Sequence, residues 1–240
     1  MQDFSIRSEQ IEIMDDLNCQ GEVVDQTLRE LETINALLGG NYVTINGIKK
    51  LQRHGNPSNA LSVADLGCGG GDILKLISSW GKRKKIDLHL TGIDANPNII
   101  RFAKNNSISF PQINYETIDI FSDDFKIKKF DIIVGTLFFH HFSAQELVYF
   151  FGHAKRQANI GIIVNDIHRH WLAYYSIKLL TKLFSKSAMV KFDAPLSVLR
   201  AFRKNELIEI LEKSGITNYS IKWMWAFRWQ VIIDTRIRNS

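Results

Sequence analysis

The amino-acid sequence predicts an α/β protein built on a doubly wound, mainly parallel sheet of seven strands. Three observations indicate this fold. Residues 22–38 have helical periodicity, short β-rich runs alternate with helical stretches from residue 61 onward, and two apolar runs lie near the end of the chain. We therefore expect an N-terminal helical cap over residues 1–56 and a main domain over residues 57–240 that ends in an antiparallel hairpin.

The N-terminal region is predicted to be helical. Between Glu22 and Leu38 the apolar residues recur largely at helical spacing, and Gly39-Gly40 is a strong signal for a helix end. A shorter helix is predicted from Gly47 to His54. The run from Gly55 to Asn59 favours turns over continued helix, so we place the boundary between cap and main domain there.

The main domain is predicted to alternate strands with helices, as βαβ units do. The first five strands are Leu61–Leu66, Leu88–Asp94, Ile113–Ile118, Phe130–Gly135 and Ile160–Asn165. The helices between them are Asp72–Trp80, Asn98–Asn105 and Ala144–Gln157. The closing elements are a helix over Lys204–Lys213 and a hairpin of Tyr219–Met224 and Gln230–Thr235.

Composition excludes several classes of protein. Hydrophobic residues make up 45% of the 240 residues, which is enough for a sizeable core. Cys19 and Cys68 form no C-x-x-C pattern, so neither a disulfide framework nor a zinc site is indicated, and a cytoplasmic location fits best. The N-terminus has no apolar core typical of a secretory signal. The longest apolar run, Phe130–Phe142, is too short and too polar to be a membrane span.

The formal charge of +5 bears on partners. It is carried partly by Lys82–Lys85 and Lys126–Lys129, which we expect in solvated loops. Attraction to nucleic acid or to an anionic membrane surface is the alternative.

The most informative stretch runs from Val63 to Asp72, where a predicted strand leads into a glycine-rich loop and then a helix. Glycines let the backbone approach a ligand closely, and such a loop at the carboxyl end of a strand is typical of nucleotide binding. The dinucleotide fingerprint G-x-G-x-x-G would need glycine at position 72, which is Asp72. Asp65, just below the loop, would repel a pyrophosphate but attract the ammonium group of a methionine moiety. The loop therefore predicts a cationic ligand.

The pattern D-x-G-x-G-x-G, formed by Asp65, Gly67, Gly69 and Gly71, resembles motif I of the class I, Rossmann-like S-adenosylmethionine-dependent methyltransferases. Leu90–Asp94 resembles that family's second strand, whose terminal acid binds both ribose hydroxyls through charge-assisted hydrogen bonds.

Two further segments continue the resemblance. Ile118-Asp119-Ile120 resembles the third motif, whose acid meets the adenine amine, and Phe130–Thr136 resembles the fourth strand, whose end faces the transferable methyl group. The resemblance covers about residues 61–165 and implies that S-adenosyl-L-methionine is the cofactor. The residues it assigns to cofactor binding are Asp65, Gly67, Gly69, Gly71, Asp94, Ala95, Asp119, Ile120 and Gly135.

Methyl transfer from a sulfonium is an in-line displacement, so the protein must chiefly hold the acceptor in line with the methyl carbon. Ionising a phenol of pKa near 10 at pH 7 would cost about 4 kcal/mol. A histidine base would lower that cost.

Histidines follow the predicted fourth and fifth strands, whose ends lie beside the cofactor crevice. We hypothesise that His168 or His170 is the general base and that Arg169 orients an acceptor oxygen or neutralises its charge. His141 is a further candidate, although in the pair His140-His141 one ring could instead cap the backbone while the other packs. No acidic motif with ligand spacing accompanies these histidines, so we predict no metal site.

Aromatic residues follow the histidines and crowd the closing hairpin. Trp171–Tyr175 begins a helix, and Trp223, Trp225, Phe227 and Trp229 lie in or near the hairpin strands. Ordinary packing would explain them, but with the helical cap they also suggest a covered, water-poor site for a lipophilic acceptor.

Three segments, Glu12–Asp16, Asn165–Tyr175 and Ser197–Phe202, are similar to bacterial small-molecule methyltransferases of quinone and polyketide pathways. This resemblance implies an aromatic or polyketide-like acceptor that is methylated on oxygen. Carbon methylation of a quinone precursor and a nitrogen acceptor are alternatives. An RNA methyltransferase is disfavoured because Gly135–Phe138 is no N-P-P-Y-like tetrad. Arg200 either reaches the pocket or forms a surface salt bridge, and the sequence is compatible with a homodimer.

Overall fold

The computed structural model describes residues 2–52 and 60–236. Within these residues a seven-stranded sheet has the order β3-β2-β1-β4-β5-β7-β6. Its strands are β1 (Leu61–Leu66), β2 (Leu88–Asp94), β3 (Ile113–Thr117), β4 (Phe130–Thr136), β5 (Ala158–Ile167), β6 (Tyr219–Met224) and β7 (Arg228–Asp234). Strands β1 to β5 pair in parallel, whereas β7 is antiparallel to β5 and β6. The predicted doubly wound sheet with a C-terminal hairpin is confirmed.

Nine α-helices lie within the described ranges: α1 (Glu22–Leu37), α2 (Gly40–Gln52), α3 (Asp72–Lys84), α4 (Pro97–Asn106), α5 (Asp123–Lys126), α6 (Ala144–Ala154), α7 (Trp171–Phe184), α8 (Ala188–Arg200) and α9 (Lys204–Lys213). Short 3-10 turns cover Ile13–Asp15 and Phe139–His141. None of the described helices is long and apolar enough to span a bilayer.

Several bounds differ from the predicted ones. Helix α3 continues to Lys84, so most of the basic run Lys82–Lys85 forms its last turn, where positive charge interacts favourably with the helix dipole. Helix α8 was not predicted and contains Pro195 within it. Strand β5 extends to Ile167 because β7 pairs with it along its whole C-terminal half.

The glycine pair after α1 ends one helix and begins the next. Gly39 has a φ of +74°, a left-handed conformation that favours glycine, and α2 begins at Gly40 rather than at Gly47. A Cβ on Gly40 would lie 1.9 Å from Oδ1 of Asn35, so the two helices meet too closely for a side chain. The glycines therefore form a tight corner between two helices.

Helix α2 packs into the main core. Ile48 and Leu51 are buried in the same hydrophobic cluster as residues of β1, β2 and α3. A Cβ on Gly47 would lie 2.9 Å from Cγ2 of Ile163 on β5. The second core cluster, on α6, α9 and β7, contains Phe150, Leu211 and Val231 among others. The predicted domain boundary lies within residues 53–59, outside the described residues.

The first helix and the segment before it cover the carboxyl ends of the strands. Val24 and Leu28 of α1 share a small apolar cluster with Phe102 of α4 and Met189 of α8. The backbone of Ile13 and Met14 donates to the carboxylate of Asp193 on α8, at 2.8 and 3.1 Å. The N-terminal segment is thereby fixed against α8, above the sheet edge at which ligands bind in α/β folds.

Candidate active site

A cavity of about 1330 Å³ lies at the carboxyl ends of β1, β2 and β4. Asp65, Asp94 and Thr136 at these strand ends form its floor, and Ile11 and Leu17 of the N-terminal segment belong to its walls. A site for one small ligand usually has a volume of about 300–1,000 Å³. The cavity is therefore large enough for a cofactor and an acceptor side by side.

The glycine-rich loop after β1 requires glycine for two reasons: its backbone is left-handed at several positions, and neighbouring rings leave no room for side chains. Gly67, Gly69 and Gly71 have φ values of +60°, +50° and +79°. A Cβ on Gly67 would lie 2.0 Å from Cδ2 of Phe138, and one on Gly71 would lie 2.1 Å from the Tyr115 hydroxyl oxygen. Gly67 and Gly69 line the cavity, so the loop backbone itself is presented to a ligand.

Two of the predicted cofactor residues lie behind the cavity wall that the described residues form. Gly71 is the N-cap of α3, and Gly135 leaves room for a ring, because a Cβ there would lie 2.3 Å from Cε2 of Phe139. Thr136, the next residue of β4, lines the cavity instead. The contact of Gly71 and Gly135 with the cofactor stays a prediction, and their observed contribution is to shape the loop and the strand end.

Asp65 has the environment expected of a cation-binding carboxylate. It is buried, and its Oδ1 atom has no hydrogen-bond partner among the described residues. Burial, with the nearby charges of Asp72 and Asp94, raises its pKa well above the usual value. An unpaired buried carboxylate is costly, and a ligand ammonium group would pair with it. This unpartnered oxygen fits the methionine end of S-adenosylmethionine.

The other predicted cofactor residues also line the cavity. Asp94 accepts from the backbone N–H of Asn96 at 2.9 Å, and burial raises its pKa to about 6. Asp119 is exposed and accepts from the backbone N–H of Phe121 at 2.9 Å. The predicted residues that the cavity brings together are Asp65, Gly67, Gly69, Asp94, Ala95, Asp119 and Ile120.

The adjacent histidines after β4 both contact carboxylates. His140 is buried, and its Nδ1 lies 2.7 Å from Oδ1 of Asp166. His141 lines the cavity, and its Nδ1 lies 2.5 Å from Oδ1 of Asp15. Neither ring simply caps the backbone. The contact with Asp15 leaves Nε2 of His141 as the nitrogen available to the cavity.

Asp15 and Arg200 form an ion pair behind His141. The Arg200 guanidinium donates to the second oxygen of Asp15 and, at 2.6 Å, to the backbone carbonyl of His141. Burial alone would raise the pKa of Asp15, but His141 and Arg200 hold it below its usual value. Arg200 is buried and lines the cavity. Of the two predicted positions, the pocket and a surface salt bridge, the pocket is therefore the one observed.

Glu12 extends this polar cluster. Its Oε2 accepts from the Ser197 hydroxyl at 2.8 Å, and its Oε1 lies 3.6 Å both from Nε2 of His140 and from Nη1 of Arg200. Burial raises its pKa to about 7. Glu12, His140 and His141 each offer a potential metal-ligand atom, and these atoms lie within 4.8 Å of one another. The Arg200 guanidinium supplies positive charge to the carboxylates of Glu12 and Asp15.

The segment from His168 to His170 has other contacts and is absent from the cavity lining formed by residues 2–52 and 60–236. Arg169 is buried and donates to Glu206 at 2.6 Å and to the carbonyls of Phe4 and Ala201 at 3.1 and 2.6 Å. It thereby ties the N-terminal segment to α9. These contacts occupy the N–H donors of Arg169 that were expected to face the acceptor.

The two histidines of that segment pack beside the hairpin. The ring of His168 lies 4.6 Å from that of Trp229, and burial lowers the His168 pKa to about 4. His170 caps α7, because its Nδ1 accepts from the N–H of Leu172 at 3.1 Å. Since β5 continues to Ile167 in pairing with β7, the residues after it are carried toward the hairpin. The geometry does not support either histidine as the base, and their mutation remains the test.

Sequence reasoning missed Glu12, Asp15 and Arg7 as members of the site. Arg7 donates to the backbone carbonyls of His140 and Arg200 and lines the cavity. The signal for Glu12 and Asp15 was the Glu12–Asp16 segment, which was used only for its resemblance. Their role depends on contacts with residues more than a hundred positions away.

Comparison with known proteins agrees with this geometry. A family model described as a methyltransferase domain matches residues 63–161. Protein 235L of Invertebrate iridescent virus 6, which is named as a methyltransferase, is 35% identical over 74 residues, or 31% of this chain and 25% of that protein. The chain therefore matches only about a quarter of this relative's length.

Solved structures show the same fold. Human N-acetylserotonin methyltransferase in complex with S-adenosylmethionine has a TM-score of 0.61 at 18% identity, over 89% of this chain and 56% of that one. The plantazolicin methyltransferase BpumL in complex with S-adenosylhomocysteine has a TM-score of 0.56 at 17% identity, over 90% of this chain and 100% of that one. Residues 63–161 therefore match a methyltransferase domain, the chain has the class I, Rossmann-like methyltransferase fold, and the residues of the cavity fit S-adenosylmethionine as the cofactor.

Proposed function

We propose that this protein methylates an oxygen atom of a small, lipophilic, aromatic or polyketide-like acceptor, with His141 as the general base. The observation that carries the proposal is the His141–Asp15 contact in the wall of the cavity that also contains the cofactor residues. When bound, S-adenosylmethionine supplies the electrophilic methyl group.

The cofactor half of the cavity has a complementary group for each polar end of that ligand. Asp65 would pair with the ammonium group, since its buried Oδ1 has no partner within the described parts of the chain. Asp94 would accept from the ribose hydroxyls, and Asp119 would accept from the adenine amine above Ile120. Gly67 and Gly69 let the loop backbone approach closely.

The acceptor half is bordered by apolar groups. The Phe138 and Phe142 rings lie 5.0 Å apart, and the Phe142 and Phe121 rings lie 5.3 Å apart, all three in the cavity wall. Ile11 and Met14 of the N-terminal segment also line the cavity. These rings favour a lipophilic acceptor, and His141 in the same wall suits one that carries an ionisable hydroxyl.

His141 can take the proton of that hydroxyl. Asp15 stays ionised because its pKa is held below the usual range by His141 and Arg200 despite burial, so it accepts the Nδ1 proton of the imidazole. The lone pair of Nε2 is then free to accept a proton from the acceptor oxygen. The Asp15 carboxylate stabilises the imidazolium that results, and Arg200 keeps the carboxylate in place.

His141 and Asp15 also lie close to the proposed cofactor residues. His141 lines the same cavity as Asp94, the expected ribose-binding residue. His168 and His170 instead contact Trp229 and Phe227, and within the described residues neither lines the cavity. Among the histidines considered, His141 therefore has the strongest geometric support.

The proposal is tested by incubating the purified full chain with S-adenosylmethionine and a panel of phenols, enols, anilines and electron-rich arenes. S-adenosylhomocysteine release and product mass spectra are followed, and Asp94→Ala serves as the cofactor-site control. We expect O-methylated phenols or enols from the wild type and a large loss of turnover in His141→Ala. Products methylated solely on carbon or nitrogen would overturn the assignment of the acceptor atom.

A further inference from the structure

Helix α7 has an apolar face that no other described element covers. The residues Trp171, Tyr175, Leu179 and Leu183 follow one another at intervals of four and form one stripe along the helix, all of them exposed. The exposed fraction is 62% for Leu183 and 78% for Phe184 at the end of the helix. The buried residues of the helix, Ala173 and Thr181, lie on the opposite side, toward α8.

The hairpin between β6 and β7 extends this surface. Trp223 and Trp225 are exposed, the latter at 73%. Ring contacts connect Trp223 to the helix: Trp223 lies 6.1 Å from Phe227, Phe227 lies 5.1 Å from His170, and His170 lies 5.7 Å from Trp171. The exposed stripe of α7 and these hairpin tryptophans are called the α7 face below. A contiguous apolar surface of this kind marks an interaction site more often than isolated exposed residues do.

The charges on the α7 face are positive. Lys178 and Lys182 are exposed and, at helical spacing, lie on the same side as Trp171. The helix from Trp171 to Phe184 contains no acidic residue. Among the described residues no carboxylate lies within ion-pair distance of either lysine. Glu30, near the end of the helix, accepts from the backbone N–H of Lys186 at 3.0 Å and from the Ser185 hydroxyl.

We propose that the α7 face docks on an anionic membrane surface, with α7 lying in the plane of the lipid headgroups. Leucine and phenylalanine side chains would enter the acyl boundary, and the exposed tryptophans would sit at the headgroup level that indole rings prefer. The lysine stems would lie along the apolar surface while their ammonium groups reach anionic headgroups. The inference is independent of the proposed acceptor and goes beyond the proposed function.

Charge argues for lipid over a second copy of this chain. A two-fold contact joins the same patch of both copies, and the α7 face offers no acidic residue with which the lysines of either copy could pair. An anionic lipid surface supplies the missing opposite charge at every lysine, each of which strengthens binding roughly fivefold.

Vesicle binding tests the proposal with the full chain. The protein is sedimented with vesicles of phosphatidylcholine alone and with vesicles that also contain phosphatidylglycerol. The double variant Leu179→Gln/Leu183→Gln changes two exposed residues of the α7 face. Ile127→Gln, at an exposed apolar residue that directly follows α5 and is not part of that face, is the matched control. Binding of S-adenosylhomocysteine checks that each variant is folded.

We expect the wild type and Ile127→Gln to bind vesicles that contain phosphatidylglycerol, and the double variant to bind about tenfold or more weakly. Lys178→Ala/Lys182→Ala should weaken binding and reduce its salt dependence. Failure of the wild type to bind, or equal binding by the double variant, would overturn the proposal. Equal binding to neutral vesicles would overturn the role of the lysines. The wild type could also fail to bind vesicles and instead form a dimer in sedimentation velocity. If the double variant abolishes that dimer, the α7 face binds a second copy of the chain and not a membrane.

Discussion

The Nδ1 atom of His141 lies 2.5 Å from Oδ1 of Asp15, a residue 126 positions earlier in the chain. The other oxygen of Asp15 accepts from Arg200, so the carboxylate is fixed from two sides. A histidine held in this way keeps one tautomer and one ring orientation, which is what a general base requires.

Replacing His141 by alanine is expected to lower kcat by about 100-fold or more, because general-base help typically contributes about 10²–10⁴ in rate. Asp15→Asn should lower kcat in the same direction, since it weakens control of the tautomer. Turnover is measured together with the Kd for S-adenosylhomocysteine, which should change little. His168→Ala and His170→Ala should retain most of the turnover. If either of them loses turnover while His141→Ala is normally active, the general base lies in the segment after β5 and not at His141.

Asp65→Asn is expected to weaken binding of S-adenosylhomocysteine about 10- to 100-fold, because a charge-assisted hydrogen bond contributes about 1.5–3 kcal/mol. Calorimetry measures this effect. The same change should raise the Tm of the ligand-free protein, since it removes a buried carboxylate whose Oδ1 has no partner within residues 2–52 and 60–236. An unchanged Kd would show that the ligand ammonium group lies elsewhere.

Cofactor binding should depend on pH through Asp94. Burial raises the pKa of this carboxyl to about 6, so the carboxylate that accepts from the ribose is lost as the pH falls below that value. The affinity for S-adenosylhomocysteine should then decrease by up to about tenfold per pH unit below 6. In Asp94→Asn the affinity at pH 7 should be lower than that of the wild type, and the decrease that titration of Asp94 causes should be absent. A wild-type affinity that is constant between pH 7 and pH 5 contradicts the assignment.

Arg169→Ala should destabilise the fold more than it affects chemistry. Its guanidinium is buried and pairs with the half-buried Glu206 and with the carbonyls of Phe4 and Ala201, and leaving buried polar groups without a partner typically costs about 1–3 kcal/mol each. Urea denaturation measures the free energy of unfolding. Lys213→Ala removes the exposed ion pair with Glu209 and should cost at most about 1 kcal/mol. If Arg169→Ala is fully stable but has no turnover, the predicted catalytic role is the correct one.

Chelation should leave turnover intact. Glu12 and Asp15 both face the Arg200 guanidinium, which already supplies positive charge to these carboxylates. Activity is measured after dialysis against EDTA, together with the metal content of the protein. Loss of activity that a single divalent metal restores would instead identify Glu12, His140 and His141 as its ligands.

The cofactor half of the site could be predicted from sequence because each of its residues is set by local structure. Asp65 and Asp94 end strands whose bounds match the predicted ones, and Gly67 is fixed by the turn that follows β1. A short motif therefore carries both the strand end and the residue that we propose binds the ligand.

The acceptor half could not be predicted in the same way, because it depends on contacts between distant parts of the chain. Asp15 meets Arg200 and His141 only after the N-terminal segment packs on α8. The histidines after β5 were misplaced for a related reason: pairing with β7 extends β5 to Ile167, and local propensity contains no information about that pairing.

The contacts of Arg7 with the carbonyls of His140 and Arg200 bear on the order in which the molecule is completed during translation. The loop and strand ends around Asp65, Asp94 and Asp119 are all synthesised within the first half of the chain. The opposite wall must wait until residue 200 has left the ribosome. The acidic residues proposed to bind the nucleoside thus leave the ribosome well before the surface on which the N-terminal arm will fold.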